Sequence, residues 1–402
     1  MKRKNKYIIL ALFGLFSLEN MQAQWVTEKC PSLNNLNSVH LINDHSGWIV
    51  GDKGTMLFKV INNWVNYQKI TDENLYSVFM IGKNNGWVVG SKGTILHFDG
   101  EKWESFASPT REKLYSVSFK DSENGIAVGS NGTVVIYKNG TWELAKKATR
   151  GNLYAVSAKN DLSMIGGGLE GINIPIMKML DNADKTLINY FDPFIEIKSI
   201  TQTEQKNVWA VGRPGEIFHF DGSEWKKLEL DGRLPSLNCV FFSDENNGIS
   251  VGYSGAILTY SEKSWTKQNS PVKVKLNGAT IAGNTYYAVG NNGTIVSCKQ
   301  IPENSVAPAS NNTATIKIET YPNPSADILN IIIPDEDGFN ADLISITNVY
   351  GQVVSRKNLD PDKGGQVYQL NTSELNNGLY LVNITSAGGN GKTALGKFIV
   401  KH

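Results

Sequence analysis

Few residues of this sequence could do chemistry, and their spacing argues against most of it. Histidines stand at His40, His45, His97, His219 and His402, and cysteines at Cys30, Cys239 and Cys298. Their spacing suits no zinc site. His97 and His219 lie in matching contexts, Leu96-His97-Phe98-Asp99 and Phe218-His219-Phe220-Asp221. They repeat one structural job rather than meet at a shared metal. What is left is positive charge: Lys92, Arg111, Lys113, Lys146, Lys147, Arg150 and Arg213 could hold an anion. No residue set implies a cofactor. A formal net charge of +1 gives no general case for nucleic acid or an anionic membrane as partner.

The elements that carry these residues repeat. A Leu-x-small-Val mark recurs as Leu36-Asn37-Ser38-Val39, Leu75-Tyr76-Ser77-Val78, Leu114-Tyr115-Ser116-Val117 and Leu153-Tyr154-Ala155-Val156. It continues as Ile197-Lys198-Ser199-Ile200, Leu237-Asn238-Cys239-Val240 and Leu276-Asn277-Gly278-Ala279. The starts are 39, 39, 39, 44, 40 and 39 residues apart. An apolar run ends in glycine 15 residues after each start, at Gly51, Gly90, Gly129, Gly168, Gly212 and Gly252, and 14 residues after the last, at Gly290. Gly-x-x-Gly-Thr then leads into a further apolar run, as in Gly90-Ser91-Lys92-Gly93-Thr94-Ile95-Leu96, and a short last run carries Trp64, Trp103, Trp142, Trp225 or Trp265. Runs rich in Val, Ile, Tyr and Trp, broken by Gly, Asn and Asp, predict four antiparallel strands per repeat. The paired glycines predict a two-residue hairpin turn with positive φ. Four strands per repeat of about 40 residues is the pattern of a β-propeller blade. The small third position of the mark suits innermost strands that crowd the central axis.

The seventh repeat has no Trp strand after Ser297-Cys298, but Trp25 lies 11 residues before Leu36, as Trp64 lies before Leu75. Gln24 to Glu28 is therefore expected to pair with Thr294 to Cys298, closing the ring and removing an edge. On that register Cys298 faces Trp25, five residues from Cys30. Five residues of strand span about 16 Å, beyond the roughly 7 Å limit for a bridge, so no disulfide is expected. The fourth repeat departs from the pattern: it lacks the Trp and carries Gly166-Gly167-Gly168, then an apolar stretch from Ile172 to Leu180. With its Val-Gly-x-x-Gly-Thr-Ile … Trp signature, the chain from about residue 24 to 300 resembles the photosystem II stability/assembly factor-like propeller family. That resemblance implies the fold and not the photosynthetic role.

Met1 to Ala23 reads as a signal peptide: Lys2, Arg3, Lys4 and Lys6, then the apolar run Tyr7 to Leu18, then Met21-Gln22-Ala23. No other segment is apolar enough to span a membrane. Ile301 to Thr315, rich in Pro, Ser, Asn and Ala, reads as a linker. From Ile316 to His402 come short β-runs, among them 328–333, 343–349, 367–370, 379–384 and 395–401, which suit a small Ig-like β-sandwich. This segment resembles the type A sorting domain of the Bacteroidetes type IX secretion system. The residues concerned are Tyr321-Pro322-Asn323-Pro324, Asn348-Val349-Tyr350-Gly351-Gln352, Leu375, Gly378-Leu379-Tyr380-Leu381-Val382 and Lys397-Phe398-Ile399-Val400-Lys401. The resemblance implies the type IX secretion machinery as a partner, transit of the periplasm, export to the outer-membrane surface or medium, and removal of the domain.

The chain is thus read as all-β: a signal peptide (1–23), a seven-bladed propeller closed by the N-terminal strand (24–300), a linker (301–315) and a sorting sandwich (316–402). Blade-to-blade loops and Gly-x-x-Gly turns share one propeller face, and the seven cations named above fall there. The opposite loops carry Asp44, Asp121, Glu123, Asp161, Glu204, Asp244 and Glu245. The expectation is a monomeric, non-catalytic binding or scaffold module for an extracellular protein or an anionic polysaccharide. Interspersed Glu104, Glu112 and Glu143 leave open a plain solvated rim. A glycan-active enzyme is the alternative. A sialidase-like site would need three convergent arginines with a Tyr/Glu pair. The propeller holds only Arg111, Arg150, Arg213 and Arg233, and lacks a Ser-x-Asp-x-Gly-x-Thr-Trp box. A structural envelope protein is the third reading.

Overall fold

Each repeated Leu or Ile opens a strand, and each strand heads an antiparallel sheet. In this computed structural model the described residues are 24–60, 63–145, 149–159, 162–168, 177–180, 196–204, 207–230, 232–300, 316–332, 341–348, 353–359, 367–386 and 393–402. The predicted signal peptide and linker lie outside them. The heading strands are Leu36–Asn43, Leu75–Gly82, Leu114–Phe119, Asn152–Lys159, Glu196–Glu204, Leu237–Phe242 and Leu276–Ala282. Behind each follow further strands in chain order. The second sheet, for example, continues with Asn85–Gly90, Ile95–Phe98 and Trp103–Ser105. The fourth sheet has three described strands, the last being Met177–Leu180. The seventh is completed by Val26–Thr27, which pairs with Thr294–Lys299 in the register Val26↔Ser297 and Thr27↔Val296. That is the register demanded by the 11-residue offset of Trp25.

The heading strands neighbour one another in sequence order, and the last neighbours the first. Between adjacent sheets lies a layer of buried apolar side chains. Trp48 of the first sheet packs with Leu75, Val78, Met80, Val88, Phe98 and Trp103 of the second. The repeated Trp is the outer wall of this layer. Trp103 meets Trp48 edge-on at 5.3 Å, Trp142 meets Trp87 at 5.5 Å, and Trp265 meets Trp209 at 5.7 Å. Trp103 and Trp87 are each 1% exposed, so each such pair removes two large aromatic surfaces from water.

Two sequence expectations are revised. The Gly-x-x-Gly turn is longer than two residues: Gly90 N–H donates to Thr94 O (3.0 Å), leaving Ser91-Lys92-Gly93 as the loop. Only the second glycine needs positive φ. Gly93 has φ +70°, and Lys92 before it has φ 51°. Gly90 is extended, and its role is close approach: a Cβ there would lie 2.3 Å from Asn74 O. The Thr that follows holds the loop, since Thr94 Oγ1 donates to Ser91 O at 2.7 Å. The small third position of the mark also does more than avoid crowding. Ser38, Ser77, Ser116 and Ser199 accept the backbone N–H of the next sheet's fourth position (Val78, Val117, Val156 and Val240) at 3.3, 3.3, 3.2 and 3.1 Å. The hydroxyls stitch neighbouring sheets near the axis.

The described strands from Ile316 onward form a five-stranded and a three-stranded sheet. They share one core of Ile318, Leu329, Ile331, Ile344, Ile346, Tyr380, Val382, Ile384 and Phe398.

Candidate ligand-binding site

Every heading strand carries a bulge at its second residue. The register jumps from Leu36 to Ser38, Leu75 to Ser77, Leu114 to Ser116, Leu153 to Ala155, Ile197 to Ser199, Leu237 to Cys239 and Leu276 to Gly278. A bulged residue leaves the ladder and its side chain is re-aimed. The seven residues so placed are Asn37, Tyr76, Tyr115, Tyr154, Lys198, Asn238 and Asn277. They ring the axis at the end where the Gly-x-x-Gly turns lie: Tyr76 Oη and Ser91 Oγ of such a turn are 2.9 Å apart.

The ring is of two kinds. Asn37, Asn238 and Asn277 staple sheets: their amides donate to Leu75 O, Leu276 O and Leu36 O at 2.8, 2.8 and 2.9 Å. Tyr76, Tyr115 and Tyr154 instead pack on one another, with ring centroids 5.4 and 5.2 Å apart. Lys198 ends this arc with its Nζ 3.5 Å from the Tyr154 centroid. Glu196 pairs with Lys198 at 2.8 Å and with Arg213 at 3.6 Å. Arg213 donates to Tyr253 Oη at 2.5 Å, and Lys275 lies 5.0 Å from the Tyr253 ring. Burial pulls the Lys198 amine below its ordinary range, Glu196 opposes this, and Arg213 and Lys275 add to it. Burial pushes the Tyr115 phenol up, helped by Tyr154, Tyr76 and Glu112. Two cations here share one carboxylate and Lys275 adds a third positive charge, so this part of the mouth attracts anions.

The cations singled out in the sequence have mixed fates. Arg111, Lys113 and Arg150 stand exposed on the loops before the third and fourth sheets. Lys92 is exposed but engaged with Glu73 at 2.7 Å. Glu112, between Arg111 and Lys113, accepts from Ser130 Oγ (2.7 Å) and Asn131 Nδ2 (3.0 Å). Arg213 joins the mouth. Lys146 and Lys147 lie outside the described residues, as does Asp161 on the other face. On that opposite face Asp121 and Asp244 serve their own turns: each Oδ1 accepts two backbone N–H groups. Nothing in the 39-residue spacing marks Lys275 or Tyr253. The Tyr-Tyr-Tyr-Lys run at the second position of the mark was the available signal.

His97 and His219 do one job in two sheets. Each ring stacks on a Trp, at 4.2 Å on Trp87 and 4.1 Å on Trp209, and bonds an Asn, Asn85 or Asn207. Among the described residues no group of His, Cys, Asp and Glu could hold a metal ion.

In the sorting segment, Asn323 ties its turn to the last strand, donating to Lys397 O (3.3 Å) and accepting from Ile399 N–H (2.8 Å). Tyr380 stacks on Phe398 at 5.3 Å. Tyr321 is half-exposed at 49%. Gly351 and Gln352 lie outside the described residues, while Pro322, Pro324 and Gly378 are exposed.

Solved structures of low identity share the fold. YCF48 bound to D1 peptide aligns with a TM-score of 0.58 at 16% identity, over 69% of this chain and 97% of that one. Virginiamycin B lyase from Staphylococcus aureus gives 0.62 at 10% identity, over 70% and 100%. The WD40 β-propeller domain of Doa1 gives 0.58 at 14%, over 70% and 98%. At such identities the likeness speaks for the fold alone. No curated protein matches the chain. The family model of the secretion system C-terminal sorting domain matches residues 319–401. The chain therefore joins a β-propeller to a C-terminal sorting domain of the secretion-system family, which indicates export to the cell surface or beyond.

Proposed function

We propose that this chain is a secreted, non-catalytic recognition module: a seven-bladed propeller, monomeric, exported by the type IX secretion system and displayed at the outer-membrane surface or released. In this reading residues 1–23 are a signal peptide, 24–300 the propeller closed by its N-terminal strand, 301–315 a linker, and 316–402 an Ig-like sandwich that serves as the address. The observation that carries it is the joining of a sorting domain to a rigid ring with a cationic mouth. Arg111, Lys113 and Arg150 stand exposed on the loops before the third and fourth sheets, and Lys198, Arg213 and Lys275 end the tyrosine arc. The acids here are already engaged: Glu196 pairs with Lys198, Glu73 with Lys92, and Glu112 accepts from Ser130 and Asn131. That suits holding an anion better than general acid–base work. YCF48, a propeller of the same fold, has been solved with a peptide bound, so ligand capture is a use this scaffold supports. The ligand would be an anionic polysaccharide or an acidic protein surface.

The test is a screen of the purified secreted chain against extracellular glycans and acidic surface proteins. Binding that weakens with salt and in an Arg111→Gln/Arg150→Gln variant supports the reading. Failure to bind anything, or turnover of a glycan, overturns it. For the address, removing 316–402 is expected to leave the protein in the periplasm, and normal export of the truncated chain refutes that part.

A further inference from the structure

We infer that the tyrosine arc Tyr76–Tyr115–Tyr154 and the Lys198, Arg213 and Lys275 cluster at its end form a subsite for a carboxylate-bearing glycan, a chain of uronic acid residues. This deepens the recognition reading and rests on it. Three observations lead to it. First, the side chains are delivered by a bulge present in all seven heading strands, and on three of the other sheets the bulged residue is an Asn that staples the next sheet. On three consecutive sheets that hydrogen bond is replaced by a phenol. Closing the ring does not demand this replacement, since Asn serves at the first, sixth and seventh sheets.

Second, the arc ends in an imbalance of charge. Lys198 and Arg213 share the single carboxylate Glu196, and Lys275, which meets the same Tyr253 ring as Arg213, has no carboxylate partner among the described residues. Arg213 has a side chain 47% exposed, open to an incoming carboxylate. Charge-assisted bonds from a guanidinium to a carboxylate are the strong ones.

Third, the surroundings are amphipathic. The half-buried phenols meet polar groups: Asn152 Nδ2 donates to Tyr154 Oη at 3.2 Å, and Tyr76 Oη lies 2.9 Å from Ser91 Oγ. Among the described residues of the propeller, the large apolar side chains that are exposed, Val26, Leu33 and Leu144, are not at the bulged position. A peptide partner would seek an apolar anchor pocket. A sugar chain instead uses ring rims for its C–H faces and amides and hydroxyls for its own hydroxyls.

The experiment is calorimetric titration of the secreted chain with hexagalacturonate, its methyl ester, and a poly-glutamate peptide of equal charge. Two variants accompany it. Tyr115→Asn installs the residue that three sheets already carry, so the fold is kept, and melting checks this. Lys275→Gln removes one cation. The expected result is hexagalacturonate binding that is weakened about 3- to 10-fold by Tyr115→Asn, in line with the worth of one aromatic contact. Lys275→Gln weakens it further at low salt, and the methyl ester binds poorly. Absence of hexagalacturonate binding, unchanged affinity in both variants, or poly-glutamate binding more tightly at the same residues overturns the proposal. If hexagalacturonate binding survives both variants but is lost in Arg111→Gln/Arg150→Gln, the recognition reading stands and this subsite does not. If nothing binds in the broad screen, the recognition reading itself has failed.

Discussion

Glu28 is the residue on which to test how the ring is held shut. It follows the N-terminal strand of the seventh sheet, and its N–H donates to Ile295 O at 2.9 Å. Its carboxylate reaches across to the first sheet, accepting from Trp64 Nε1 at 2.7 Å and lying 3.7 Å from Lys59 Nζ. Lys59 is 4% exposed. Its ammonium donates to Tyr287 Oη of the seventh sheet at 3.0 Å and lies over that ring at 4.1 Å. Burial lowers the Lys59 amine below its ordinary range, with Glu28 and Asp44 opposing. Glu28→Gln keeps an acceptor for the Trp64 indole and removes only the charge. Stranding one partner of a buried pair costs about 3–5 kcal/mol. Asp44 and Tyr287 still face Lys59, and the Glu28 side chain is 19% exposed, so about 2 kcal/mol is expected. Adding Lys59→Met removes the stranded charge, and the double variant should recover to within about 1 kcal/mol of wild type.

Urea unfolding followed by tryptophan fluorescence measures this directly, because all nine tryptophans lie between Trp25 and Trp265 and report only the propeller. The sign with pH follows from linkage. The unfolded chain keeps the Lys59 proton up to about 10.4, and the folded chain releases it earlier. The Glu28→Gln penalty is therefore full near neutral pH and fades as the pH rises through that window. If Glu28→Gln is as stable as wild type, or if the double variant is weaker than the single, the clasp does not hold the ring as described.

Three further outcomes are expected. Burial holds the His40 imidazole down to about 4, against 6.5 ordinarily. Stability should therefore fall as the pH drops from 6.5 to 4, by up to about 3 kcal/mol, since the unfolded state takes the proton first. The difference between wild type and His40→Phe over that range isolates this contribution, and a pH-independent difference rules it out. Ser77→Ala removes the acceptor that holds Val117 N–H at 3.3 Å and should cost about 1 kcal/mol by the same urea assay; no change would mean the stitch is idle. Cys30 and Cys298 belong to different core layers, so thiol titration of the denatured, unreduced protein should find three reactive thiols, and a count of one would reveal a bridge.

The fold was legible because each sheet is local in sequence and copied many times. Constant spacing locates its strands, and the 11-residue offset of Trp25 locates the closing one. What was not legible is set by contacts between copies. The Ser77 hydroxyl looks merely small until Val117, 40 residues on, is beside it. Gly90 and Gly93 look alike in sequence, yet one is there for close approach and the other for its left-handed backbone. Simple alternation along Leu75-Tyr76-Ser77-Val78 hides that Tyr76 is a bulged residue aimed at the axis. The charged face was legible in composition only. Lys92 is engaged by Glu73, 19 residues earlier in the chain, while Arg213 shares Glu196 with Lys198 and Tyr253 with Lys275, a meeting no spacing announces.

In a ring of repeats, what every copy shares serves closure, and what a few adjacent copies change is free to serve something else. The Gly-x-x-Gly loops recur around the ring, Ser stitches recur in four of its seven copies, and both explain its assembly. The bulged position breaks the rule in one sector, from Tyr76 through Tyr154 to Lys198. That sector ends at the fourth and fifth sheets, where the repeat itself departs from its spacing. Each Asn staple contributes about 1 kcal/mol, and a tyrosine pair contributes a comparable amount by stacking. The exchange is therefore close to neutral for stability and changes only the chemistry offered at the mouth. A substitution that is neutral for folding, repeated on three neighbouring sheets and ended by clustered cations, is better accounted for by a ligand than by the fold. The Tyr115→Asn variant separates the two: a packing role predicts a shifted melting point with binding untouched, and a ligand role predicts the reverse.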